Sequence, residues 1–224
     1  MEAKIKTKVN TEIKKSDKEV SLPGELTAYC ELVVRKKDGS IRERREFPSK
    51  SFVRQFFDLL LVQMQMVQEL APVQIRDVSD TLRDIAMSSL NFSADAAIGI
   101  DTYGIVAGTG NTAPTIDDYA LETQIADGVA AGELQYGNVA FGLPASNITT
   151  SHFTLTRDLA NNSGGLITVN EIGLYVLGRQ GSYLSPGDAA ITYSFLTIRD
   201  VVAGGINIPD GDTLTVNYRL QATV

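Results

Sequence analysis

Residues 213–222 read TLTVNYRLQA, and their alternation is strict. Leu214, Val216, Tyr218 and Leu220 fall on one side; Thr213, Thr215, Asn217, Arg219 and Gln221 fall on the other. A period of two marks a β-strand with one buried face and one wet face. The same pattern runs through 26–35, where Leu26, Ala28, Cys30, Leu32 and Val34 alternate with Thr27, Tyr29, Glu31, Val33 and Arg35. Lys37-Asp38-Gly39-Ser40 then supplies a turn, and 41–47 returns as the second arm of a charged β-hairpin. Residues 4–9 repeat the alternation, Lys4, Lys6 and Lys8 against Ile5, Thr7 and Val9. Shorter β runs follow at 99–106, 134–141, 152–157, 166–177 and 190–201, with a small hairpin expected around Ser79-Asp80. Many short strands between turn clusters predict a mainly β chain, built as a β-sandwich or jelly-roll-like domain.

A single long amphipathic helix is expected near the N-terminal third, over 51–70, with Ser49 or Ser51 as its N-cap. At 100° per residue, Arg54, Gln55, Asp58, Gln65, Gln68 and Glu69 share a polar arc, and Phe52, Phe56, Phe57, Leu59 and Met64 lie in the apolar one. Leu61 and Val62 fall inside the polar arc. Apolar residues there mean either a helix buried on two sides or a contact with a neighbouring subunit. Two regions follow: 1–72, a docking region of strands, hairpin and helix, and 73–224, the β body. The two could equally form one continuous domain.

The chain has 224 residues, enough to bury a substantial core without staples. One cysteine closes no intramolecular disulfide, and one histidine, His152, leaves Cys/His zinc sites short of ligands. The net charge of −7 conceals an asymmetry. Residues 1–54 carry 14 Lys and Arg against 9 acids, whereas 55–224 carry 6 Arg against 18 acids. The basic face is either edge protection by lysine or an electrostatic contact with an acidic partner. The N-terminal residues hold no apolar core of the kind an export signal needs, and charges interrupt 52–67, so a chain made in the cytoplasm and not inserted in a membrane is expected.

No catalytic motif emerges. Gly108-Thr109-Gly110-Asn111 lacks the third glycine of a dinucleotide fingerprint and the lysine of a P-loop, and reads as a tight loop. Asp117-Asp118, behind Thr115, reads as the capped start of a short helix. Neither a cofactor nor a metal is expected, and the acidic body disfavours nucleic acid. Glu171 is the one charge in an otherwise apolar strand. It is either a buried carboxylate accepting hydrogen bonds from backbone, Arg199 or Arg157, or an exposed strand glutamate.

Three segments carry a resemblance. IVAGTGNTAPTIDDYAL at 105–121, VNEIGLY at 169–175, and RDVV at 199–202 followed by IPDGDTLTVNY at 208–218 are similar, in that order, to elements of tail-fibre, collar and baseplate domains of tailed bacteriophages. The resemblance covers roughly 98–224. It implies a non-enzymatic virion component that self-assembles into a symmetric oligomer at the tail tip, baseplate or neck, with capsid decoration or a head fibre as the alternative. Its partners would be other copies and neighbouring virion proteins. In that setting Lys4, Lys6, Lys8, Leu61 and Val62 are the candidate assembly contacts, and Glu171 the structural carboxylate. A glycan-binding adhesin or carbohydrate-active enzyme is the rival reading; the lack of tryptophan counts against sugar stacking.

Overall fold

The charged hairpin joins the C-terminal strand rather than standing apart. The computed structural model describes residues 25–49, 51–68, 71–181 and 191–224. In chain order the elements are β1 (Glu25–Arg35), β2 (Ile41–Ser49), α1 (Arg54–Met64), β3 (Val73–Arg76), β4 (Leu82–Ile85), β5 (Gly104–Gly108), β6 (Gln135–Tyr136), β7 (Ala140–Phe141), β8 (Ala145–Ser146), β9 (Thr150–Ala160), β10 (Ile167–Arg179), β11 (Thr192–Ile208) and β12 (Thr213–Thr223). The protein is mainly β, with several sheets. The alternation predicted at 4–9, and with it Lys4, Lys6 and Lys8, lies outside the described residues.

The largest sheet has the order β2-β1-β12-β9-β6, and β7 and β8 also pair with β9. Its pairs are antiparallel: Cys30 lies opposite Tyr218 on β12, and Tyr218 lies opposite Leu155 on β9. The period-two residues therefore line up. Cys30, Leu32, Leu214, Val216, Tyr218, Leu155 and Leu159 are all buried. Because β1 and β12 are neighbours, hydrogen bonds cross the expected boundary at residue 72. A second sheet, β11-β10-β5, sends Ile105, Ile172, Phe195 and Leu196 into the same apolar cluster. Hairpin β3–β4 forms the third.

The expected 51–70 helix is corrected to a short one of 11 residues, α1. Its N-terminal limit comes from β11, whose backbone holds the preceding residues extended. The Arg199 N–H donates to Ser51 O, Phe52 bridges Ile198, and the Val53 N–H donates to Thr197 O at 3.1 Å. Val53, not Ser49 or Ser51, occupies the N-cap position, and it makes no side-chain cap bond. At the other end the Met66 N–H reaches Gln63 O and the Val67 N–H reaches Val62 O, with Met66 left-handed at φ 50°. That pair of bonds is a Schellman stop, at which glycine is the usual residue. Met66→Gly should therefore stabilise the protein by about 0.5–1 kcal/mol, strain relief exceeding the added chain entropy, as a denaturant titration would read.

The short helix also turns a different face inward. Gln55, Leu59 and Val62 are its buried residues. Phe57, Leu61 and Met64, spaced i, i+4, i+7, are instead 54%, 44% and 76% exposed. The pairing of Leu61 with Val62 as an exposed contact is thus corrected: Val62 is at 0% exposure, in the core. Gln63 ties the adjoining loop down, donating to Ser88 O and accepting from the Ser88 N–H and Asn91 Nδ2. Among the described residues no helix is long and apolar enough to cross a membrane.

Candidate functional site

The densest polar chemistry lies where β10 and β11 meet the Gly-Thr-Gly loop. Glu171, on β10, is at 0% exposure. Its Oε1 accepts from the Gly110 N–H at 3.0 Å and the Thr123 N–H at 2.9 Å. Its Oε2 accepts from the Glu122 N–H at 3.1 Å and from Arg199 Nε at 2.9 Å. Four donors converge on one carboxylate, which meets the requirement that a buried charge be paired and hydrogen-bonded.

Arg199, on β11, spreads the rest of its fork over the loop. Nη1 donates to Asp118 Oδ2 at 2.7 Å and Nη2 to Thr112 Oγ1 at 3.2 Å, with Glu122 Oε2 at 3.8 Å. Glu122 in turn accepts from the Asn111 and Thr112 N–H groups. Burial alone would raise the pKa of Asp118; hydrogen bonds from Thr115 and the Arg199 pairing outweigh it and hold the carboxyl below its ordinary value. The helix expected behind Thr115 is absent. Asp118 accepts from both the N–H and the hydroxyl of Thr115, closing a turn.

The glycines of this loop serve close approach. A Cβ on Gly108 would sit 2.6 Å from Thr123 O and 2.5 Å from Glu171 Oε1, and one on Gly110 would again meet Glu171 at 2.5 Å. The N–H groups that a phosphate would need are taken by Glu171 and Glu122. The loop's anion is supplied by the protein itself.

Arg157, the other candidate partner of Glu171, goes elsewhere. At 0% exposure it donates to five carbonyls, those of Gly137, Tyr103, Ile105, Ala97 and Ile100, and lies 4.8 Å from the centre of the Tyr136 ring. It ties loop 97–105 and Gly137 to β9. Sequence alone marks Arg157 only as a charge in a strand; its carbonyl partners are not chemically distinctive residues. His152 stands half-buried on β9 opposite Gln221 and Ala145, and its Nδ1 has no hydrogen-bond partner.

A third buried group spans the two larger sheets. The Tyr218 hydroxyl donates to Asp200 Oδ2 at 2.8 Å. Burial raises the pKa of Asp200, only partly offset by the hydrogen bond from Tyr218, and burial pushes the Cys30 thiol well above its ordinary value. A carboxyl whose folded pKa is raised stabilises the fold fully below the unfolded value and loses that contribution as pH rises through the folded one. Asp200→Asn should therefore raise the melting temperature by a few degrees at neutral pH, and the gain should vanish near pH 3, as scanning calorimetry at both pH values would test.

Comparison with known proteins returns no match: no family model fits the chain, and neither a curated protein nor a solved structure is similar to it.

Proposed function

We propose that this chain is a non-enzymatic structural subunit of a tailed-phage virion that associates with copies of itself at the tail tip, baseplate or neck. The observation that carries self-association is the exposed ridge on α1. Phe57, Leu61 and Met64 form its crest; Met66, Met87 and Leu90 extend it, and all six are exposed. Met87 is contiguous with the ridge because its N–H donates to Val67 O at 2.9 Å. Three of the chain's four methionines lie in this patch. Methionine adapts its shape to a partner surface, and clustered exposed apolar groups mark association sites. An i, i+4, i+7 ridge can pack against its own copy about a two-fold axis.

The virion placement rests on the three ordered segments at 105–121, 169–175 and 199–218. Two larger sheets sharing one core favour the β-sandwich form of the fold, and the Glu171–Arg199 cluster would give such a body a rigid loop end.

Sedimentation velocity tests the association. The wild-type chain should form a discrete oligomer at micromolar concentration. Phe57→Gln/Leu61→Gln/Met64→Gln should sediment as a monomer that stays folded by circular dichroism, with a melting temperature a few degrees lower because the intersubunit contacts and the Phe56–Phe57 ring contact are lost. A monomeric wild-type chain, or a triple variant that still assembles, would defeat the reading. Mass spectrometry of purified particles tests the virion placement: the chain should be present in stoichiometric amount.

A further inference from the structure

An apolar groove lies at the end of the large sheet where β1 and β9 begin and β12 stops. It encloses about 230 Å³, lined chiefly by Leu26 of β1, Phe153 of β9, Leu220 and Ala222 of β12, and Pro144 just before β8. That is below the roughly 300 Å³ at which small-molecule sites begin, so the groove suits side chains rather than a free ligand. Leu26 and Leu220 belong to the inward sides of their strands. Yet Leu26 is 48% exposed, and Leu220 and Phe153 are only half-buried. In the adjoining 142–149 arm, Leu143 and Ile148 are 91% and 97% exposed.

This end of the sheet is also uncharged. Residues 134–156 contain no Asp, Glu, Lys or Arg, and neither does the lining of the groove. The cores of protein interfaces are depleted in charge in the same way. A charged partner finds no complement here, whereas an apolar segment does. β1 adds an open backbone edge at the same place. β12 pairs with it from Glu25 onward, but β2 pairs with it only from Ala28. Among the described residues, no strand lies along the other edge of Glu25–Thr27.

We infer that the groove is the seat of this chain's own N-terminal residues 5–9, with Ile5 and Val9 laid into it. Residues 1–24 lie outside the described residues and lead directly into Glu25, which pairs with Thr223 at this end of the sheet. The connection 10–24 is 15 residues long and spans up to about 50 Å, so reach is not limiting. A tether of that length holds the segment near the groove at an effective concentration on the order of millimolar, ahead of a second copy at micromolar concentration. The alternation sets the orientation. Ile5, Thr7 and Val9 share one side and face the groove; Lys4, Lys6 and Lys8 share the other and stay in water. An alternating segment beside an open strand edge is the arrangement of strand addition, and lysines protect the edge so made. The lysines then face outward, where the proposed assembly can use them, but the seat itself does not rest on that assembly.

Thiol labelling of the full chain tests the seat. Ala222→Cys puts a thiol at an exposed position in the groove, and Cys30, at 0% exposure, stays unreactive. Iodoacetamide should alkylate the introduced thiol slowly, and adding Ile5→Asp/Val9→Asp should accelerate it at least tenfold. Asn10→Asp/Ser16→Asp, which puts the same added charge in the connection, should leave the rate unchanged. The slow rate should be the same at micromolar and at hundred-micromolar protein. It should also be the same in the ridge variant Phe57→Gln/Leu61→Gln/Met64→Gln, which keeps this result separate from the assembly reading. Alkylation that is equally fast with and without the Ile5 and Val9 changes would mean an open groove, and equally slow alkylation a different cover. Protection that grows with concentration would mean a second copy, and acceleration by the connection variant would mean a general charge effect. Each of these four results overturns the inference.

Discussion

Arg157→Met should destabilise the protein by about 3–5 kcal/mol, the expected cost of removing a buried charged partner and leaving its acceptors unpaired. Five carbonyls, from Ala97, Ile100, Tyr103, Ile105 and Gly137, lose their donor together. Methionine fills much of the volume but donates nothing, so the loss reports on hydrogen bonding more than on a cavity. For a chain of this size the melting temperature should fall by an amount on the order of 10 °C. Arg157→Lys should recover only a small part, because one ammonium cannot span acceptors arrayed around a planar fork. Hydrogen exchange should localise the effect: amides of the 97–105 loop should exchange far faster in the variant than those of β1. A fall in melting temperature of only a degree or two would show that water can satisfy those carbonyls.

The second large effect is expected at the carboxylate cluster. Arg199→Met leaves Glu171, Asp118 and Glu122 close together with their shared cation gone. The cost should again be about 3–5 kcal/mol, since breaking a buried pair strands the remaining charge. Glu171→Gln/Arg199→Met should cost less than the two single changes summed, and the difference measures the coupling between them. Acid titration supplies an independent reading. Asp118 has a depressed folded pKa, so its contribution is present above the unfolded aspartate value of about 3.9 and is lost as pH falls through the folded one. In Arg199→Met that acid-sensitive component should shrink, giving a shallower fall in stability below pH 4. An unchanged acid profile would mean that the Thr115 hydrogen bonds alone hold Asp118.

Much of the sheet was readable from the residues. The strict alternation at 213–222 and 26–35 places both strands, and most side chains it assigns inward, Tyr218 and Cys30 among them, are buried; Leu26 at the strand end is exposed, and Val33, assigned to the wet face, is buried. The Lys37–Ser40 turn and the hairpin around Ser79-Asp80 follow from local turn chemistry. The helix is shorter than its apolar pattern for a nonlocal reason. Its apolar pattern runs over 51–70, but β11 offers the backbone of 51–53 better partners, and a left-handed Met66 stops it. The helix that forms spans 11 residues, and its inward face differs from the expected one: Gln55 lies inside, and Phe57, Leu61 and Met64 lie outside.

For the candidate sites the division is similar. A lone glutamate in an apolar strand signals that Glu171 needs partners, and Arg199 and Arg157 could be named as candidates. Choosing between them was a matter of where β11 and β9 lie, with Arg199 two rungs from Glu171 in the β10–β11 register and Arg157 in the other large sheet. What the amino-acid sequence determined by itself was period, turn and the demand of each buried polar group, because these depend on neighbours along the chain. What only the tertiary structure decided was the helix's limits, its buried face and the identity of each partner, because backbone and side-chain groups distant in sequence compete for the same hydrogen bonds.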